Sequence, residues 1–117
     1  MARYTSLFTI ETPTQPIQAL IHQLLESKEL GLNVIYDTGD YVVARERPGN
    51  VTVAQLVTVE VLVDRAQSNQ ANTLRLNIVV KNEQLPLQID NHCHRWFTQL
   101  NEAIAASEQW RLIETVA

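Results

Sequence analysis

Val53-Ala54-Gln55-Leu56-Val57-Thr58-Val59-Glu60-Val61-Leu62-Val63-Asp64 is the stretch whose reading decides the fold. Val57, Val59, Val61 and Val63 recur at every second position, the period of a pleated strand, so they share one face. Leu56 and Leu62 make the opposite face partly apolar as well. A strand apolar on both sides is usually central or has its second face covered. The sequence therefore predicts one long strand over 53–64, with something shielding its far side.

Further strands flank it. Leu74, Leu76, Ile78 and Val80 alternate with Arg75, Asn77, Val79 and Lys81, a half-buried strand, and residues 66–72 between the two are polar enough for a loop. On the N-terminal side, Leu32, Val34 and Tyr36 alternate, Asp37-Thr38-Gly39-Asp40 is turn-forming, and Tyr41 to Arg47 returns as a hairpin partner. Pro48-Gly49-Asn50 marks the next loop. The opening segment Arg3 to Glu11 is another strand, with Tyr4, Ser6, Phe8 and Ile10 on one side.

Two stretches change period. Ile17, Leu20, Ile21, Leu24 and Leu25 form the stripe of an amphipathic helix. Thr14 is its expected cap, Pro16 suits its first turn, Lys28 its last, and Gly31 its stop. A second helix is expected to begin at Asp90 as N-cap, with Cys93, Trp96, Phe97, Leu100, Ala103 and Ile104 on one stripe. Residues 108–117 fit either a continued helix or a last strand, and the spacing of Trp110, Leu112 and Val116 favours the strand. The order is β-α-β-β-β-β-α, with a last β where residues 108–117 form the strand. It predicts a two-layer α+β domain over residues 1–117, with an antiparallel sheet of about five strands packed on two helices.

Composition narrows the function classes. The chain has 117 residues, a net charge of −4 and scattered Lys and Arg, so it lacks the basic block that drives nucleic-acid binding. Its 45% apolar residues suit a globular core. The single cysteine, Cys93, cannot form an internal disulfide. No run approaches the roughly 20 apolar residues of a membrane span, and no apolar leader opens the chain. A cytoplasmic location is the expectation.

Few residues suggest chemistry. Asp90-Asn91-His92-Cys93-His94 has metal-ligand types, but adjacent helical residues project about 100° apart and do not converge on one ion. Asp90 and His94 stand one turn apart; the simpler reading is a cap beside a surface histidine. His22 sits at the boundary of its helical stripe, where partial exposure is the simpler reading. Asp37 and Asp40 are read as turn formers, since a solvated hairpin tip would not raise a carboxyl pKa. Arg45 and Arg47 share a strand face and present the planar fork that grips carboxylate or phosphate; a solvated sheet edge is the alternative. Phosphate loops, Cys-x-x-Cys, His-Glu-x-x-His and Gly-x-Ser-x-Gly are all missing. No catalytic residue, metal site or cofactor is therefore assigned.

The second face of the sheet is the better lead. Leu56, Leu62, Val79 and Ile35, with Val42 as a further candidate, add apolar area opposite the helices. Such a patch packs on a partner or curls round a pocket. Leu56, Leu62 and Val79, with Arg45, Arg47 and Trp96, make up the candidate binding set.

Two resemblances follow from quoted stretches. Leu7-Phe8-Thr9-Ile10-Glu11-Thr12-Pro13, running into Gln18-Ala19-Leu20-Ile21, resembles the start of START/Bet v 1-like helix-grip proteins, as do the strand 74–80 and the helix from Asp90. That resemblance implies a sheet curling round a C-terminal helix. Leu100-Asn101-Glu102-Ala103-Ile104 and Trp110-Arg111-Leu112-Ile113 are similar to type III secretion chaperone-like proteins, including the YbjN group, which implies a small acidic dimer. Gln55 to Val61 also looks like small conserved cyanobacterial proteins, which implies a housekeeping or assembly role.

The sequence thus predicts a non-enzymatic binding or assembly module, a homodimer through its sheet face. The alternative is a carrier or enzyme for a small apolar ligand, with its pocket between the sheet and the C-terminal helix and Trp96 beside it.

Overall fold

A computed structural model describes residues 1–12, 17–49, 51–64 and 73–116. The expected positions of Thr14 and Pro16, and the loop 66–72, lie outside the described residues. Strands β1 (Ala2–Glu11), β2 (Asn33–Asp37), β3 (Tyr41–Arg45), β4 (Thr58–Asp64), β5 (Thr73–Asn82) and β6 (Arg111–Val116) form one sheet in the order β2-β3-β4-β5-β1-β6. All its pairings are antiparallel. Helices α1 (Ile17–Leu25) and α2 (His92–Ala106) complete the two-layer α+β fold. The sixth strand is the last β that the order allowed: β6 adds itself to the free side of β1.

Alternation drives the layering. Val59, Val61 and Val63 on β4, Leu74, Leu76, Ile78 and Val80 on β5, and Phe8 and Ile10 on β1 are buried on one face. Both helices lie on that face: Ile21 and Leu25 of α1 and Leu100 and Ile104 of α2 surround Val61, Leu76 and Ile78. At about 1.5–3 kcal/mol for each fully buried large aliphatic side chain, this layer is the main stabilising contribution. Trp110, 6% exposed, closes its end and donates from Nε1 to the Ile104 carbonyl at 3.0 Å, satisfying an acceptor in the last turn of α2.

Several expectations need correction. The decisive stretch is not one strand. Val53–Gln55 is a short 3₁₀ turn, because the Gln55 Oε1 reaches back 3.0 Å to the Thr52 N–H. Leu56 therefore precedes β4 instead of lying on it. The far side of β4 is Thr58, Glu60, Leu62 and Asp64, so only Leu62 is apolar there. Val42 is fully buried on the helix-covered face, not on the open one.

The helix ends also differ. α1 stops at Leu25, so Lys28 lies in the following turn, where the Ser27 Oγ accepts from the Leu30 N–H at 3.4 Å. Gly31, at φ 62°, takes the left-handed conformation that lets the chain leave. The α2 N-cap is Asn91, whose Oδ1 accepts from the His94 N–H at 2.9 Å; Asp90 stands outside and pairs with Arg95 at 3.5 Å. β3 ends at Arg45, so Arg47 is beyond the strand and donates to the Gly31 carbonyl at 3.2 Å. Ile35 is the extra residue of a bulge in β2, which leaves it 48% exposed. No helix among the described residues is long and apolar enough to cross a membrane.

Candidate functional site: the open sheet face and its cleft

With both helices on one side, the register fixes what the other side presents. One cross-strand row reads Tyr41, Leu62, Asn77, Leu7 and Val116. The next reads Tyr36, Val43, Glu60, Val79 and Thr5. A third reads Arg45, Thr58, Lys81 and Arg3, three cations around one hydroxyl. Directly opposed side chains in such rows stand about 4.5–5.5 Å apart and act as neighbours. Apolar and polar groups are interleaved: Tyr36, Leu62 and Val116 remain about half exposed, with Glu60 and Asn77 between them.

Arg45, Thr58 and Lys81 of this row form the floor of a half-open cleft of about 450 Å³. Met1, Val43, Val53 and Leu56 supply its apolar wall, and Tyr41, Arg45, Thr58, Glu60, Lys81 and Asn82 its polar groups. This volume lies in the roughly 300–1,000 Å³ range of small-ligand sites. The 3₁₀ turn that displaces Leu56 from the strand is what builds the wall. It is held there by the Glu83 N–H donating to the Ala54 carbonyl at 3.2 Å.

The cleft has a fixed polar network. The Tyr41 hydroxyl donates to Glu60 Oε1, and Lys81 Nζ lies 3.0 Å from Glu60 Oε2. Donation from Tyr41, with the Lys81 charge, holds the Glu60 carboxyl below its usual range despite partial burial. The same bond pushes the Tyr41 phenol upward, so it is a poor proton donor at neutral pH. Arg45 has neither hydrogen-bond nor ion-pair partner among the described residues, although Glu83 lines the same cleft. Asn82 is 4% exposed; its Nδ2 donates to the Gln55 carbonyl at 3.1 Å, while its Oδ1 is buried without a partner. An unpaired buried acceptor costs about 1–3 kcal/mol, and such costs concentrate at working sites.

The predicted binding set divides accordingly. Arg45 and Leu56 line the cleft, and Leu62 and Val79 lie on the same open face. Arg47 and Trp96 are elsewhere; Trp96 packs half-buried against the core. Where the sequence places its alternative pocket, between sheet and α2, the space is a void of about 10 Å³. That is about one water's worth and holds no ligand.

Two other polar clusters are structural in their geometry. His22 Nε2 is 2.8 Å from Glu26 and its Nδ1 is 3.3 Å from Asp37. Asp37 also accepts from Gln18 Nε2 at 2.6 Å and the Gly39 N–H at 3.0 Å, joining α1 to the β2–β3 turn. His92 Nε2 contacts both oxygens of Glu46, whose Oε1 also accepts from the Val57 N–H at 3.1 Å. His94 instead meets the Tyr4 ring edge-on with centroids 5.0 Å apart. Among the described residues no group of acidic, His and Cys side chains is placed to hold a metal ion.

The sequence reading missed the Tyr41–Glu60–Lys81 network and the segment Leu85–Ile89. The first had a signal, since Glu60 interrupts a valine strand. No family model matches the chain, and neither a curated protein nor a solved structure matches it.

Proposed function

We propose that this chain is a non-enzymatic binding module that works through the open face of its sheet, assembling with a second copy of itself. One observation carries the reading: both helices cover the same face, leaving Tyr36 at 53%, Leu62 at 46% and Val116 at 51% exposure on the other. An uncovered face of this kind, in a small domain, is commonly completed by a partner. Close packing between the sheet and its helices supports it: among the described residues, the void lined by Ile21, Val61, Leu76, Leu100 and Trp110 holds about 10 Å³. The polar groups interleaved on the face fit a non-obligate interface, which is no more apolar than the remaining surface.

The test is sedimentation of the intact chain over a wide concentration range, with and without Leu62→Asp. Assembly predicts a mass that rises with concentration and a weaker rise in the variant. A dimer unaffected by Leu62→Asp would move the interface off the centre of the face.

A second reading is favoured by the cleft itself: a small amphipathic ligand, its apolar part against Val43 and Leu56 and its acid group on Arg45. Native mass spectrometry of the purified chain tests it, a bound species lost on Arg45→Glu being the expected result. A chain carrying nothing under gentle ionisation argues against it.

A further inference from the structure

Leu85, Leu87 and Ile89 are 65%, 87% and 88% exposed, in the chain between β5 and α2. They alternate along residues 84–89, a segment without a charge, and the Leu87 N–H turns back to the Leu85 carbonyl at 2.9 Å. Three large aliphatic side chains left this bare in succession exceed the scattered single exposures of an ordinary surface. Their burial against a partner would remove this apolar area from water, which favours association.

The loop and the cleft lie at the same end of the molecule. Glu83, from which the loop departs, is on the cleft rim, and Met1 and Val53 on that rim are themselves 62% and 81% exposed. The geometry points to a reciprocal exchange between two copies, the Leu85–Ile89 loop of each filling the cleft of the other. The inference rests on the self-assembly reading above and supplies its contact. Because both surfaces share one end, a two-fold axis there satisfies both at once and closes the assembly at two.

Charge favours a second copy as the occupant. The uncharged loop is bracketed by Glu83 and Asp90, while the cleft carries Arg45 and Lys81 beside Glu60 and Glu83. Lys81 is held by Glu60 and Asp90 is 3.5 Å from Arg95, while Arg45, which lines the cleft, has no ion-pair partner among the described residues and is placed to meet an incoming acid. The loop alone falls short of the roughly 800 Å² per partner of a standard interface. The bare rim residues Met1 and Val53 extend it.

Two single variants of the full chain test the exchange: Leu87→Asp in the loop and Arg45→Glu on the cleft floor. Both side chains are exposed, and thermal melts should show each variant folded. Each alone should weaken dimerisation by about tenfold or more, the loss expected at an interface anchor. Arg45→Glu and Leu87→Asp variants that both dimerise as tightly as the parent overturn the exchange. A Leu87→Asp dimer as tight as the parent, but lost on Leu62→Asp, overturns it while leaving the sheet-face reading standing. A strict monomer of the parent removes both. A monomer that co-sediments with phosphatidylcholine–phosphatidylglycerol vesicles through this loop gives it to a bilayer instead and also overturns the exchange.

Discussion

His92 Nε2 lies 2.8 Å and 3.0 Å from the two carboxylate oxygens of Glu46, joining the first residue of α2 to the chain just past β3. Their side chains are 15% and 13% exposed, so little solvent screens the contact. Removing Glu46 leaves the His92 Nε2 without its partner, and removing His92 leaves Glu46 only the Val57 N–H, at a cost of about 1–3 kcal/mol. His92→Ala and Glu46→Ala should each lower the urea midpoint. The double variant should lose less than the sum, since the two share one interaction. Strictly additive losses would mean that the contact contributes nothing.

The His22 cluster sets a pH dependence. Hydrogen bonding to Asp37, helped by Glu26, raises the imidazole above its ordinary 6.5 against the opposing effect of burial. A raised folded-state value contributes stability that is fully present below about 6.5 and is lost as pH rises through the folded value. Asp37 runs the other way. Burial pushes it up, but the Gly39 N–H, His22 and Gln18 together hold it below 3.8, so its contribution is lost as pH falls through that lowered value. His22→Ala should therefore cost most between about pH 5 and pH 6 and least above about pH 8, read as the difference in Tm from the parent. A pH-independent difference would remove the charge from the account. His22 is 42% exposed, which keeps the effect small.

Cys93 should be chemically silent. It is fully buried, with Sγ 3.4 Å from the Val80 carbonyl, and burial pushes its thiol up to about 11. The thiolate is the reactive form, so a disulfide reagent at neutral pH should label the chain only as fast as it unfolds. Rapid labelling without denaturant would contradict this burial.

Alternation and turn chemistry made most of the fold legible. Tyr4, Phe8 and Ile10 marked the inner face of β1, and Asp37 to Asp40 marked a turn that Gly39, at φ 98°, completes. The strand at 111–116 emerged from Trp110 and Leu112 despite a competing helical spacing. What misled was local hydrogen bonding that periodicity does not record. Val53 to Leu56 continues the valine pattern by eye, yet Gln55 bonding back to Thr52 turns the chain and makes Leu56 a cleft wall. Asn91 displaces Asp90 as cap because its side chain also donates to the Tyr4 hydroxyl at 2.7 Å, a partner far away in sequence. The candidate site was half visible for the same reason. Arg45 and Leu62 could be nominated singly, but their rows exist only once the register is known.

On the proposed reading a second copy covers the open face of the sheet. Analytical ultracentrifugation of the unmodified chain tests this most directly, because the monomer mass is 13.3 kDa and a pair doubles it. The expected result is a weight-average mass that climbs from the monomer toward the dimer as concentration rises. A mass fixed at the monomer value over the whole range would contradict it.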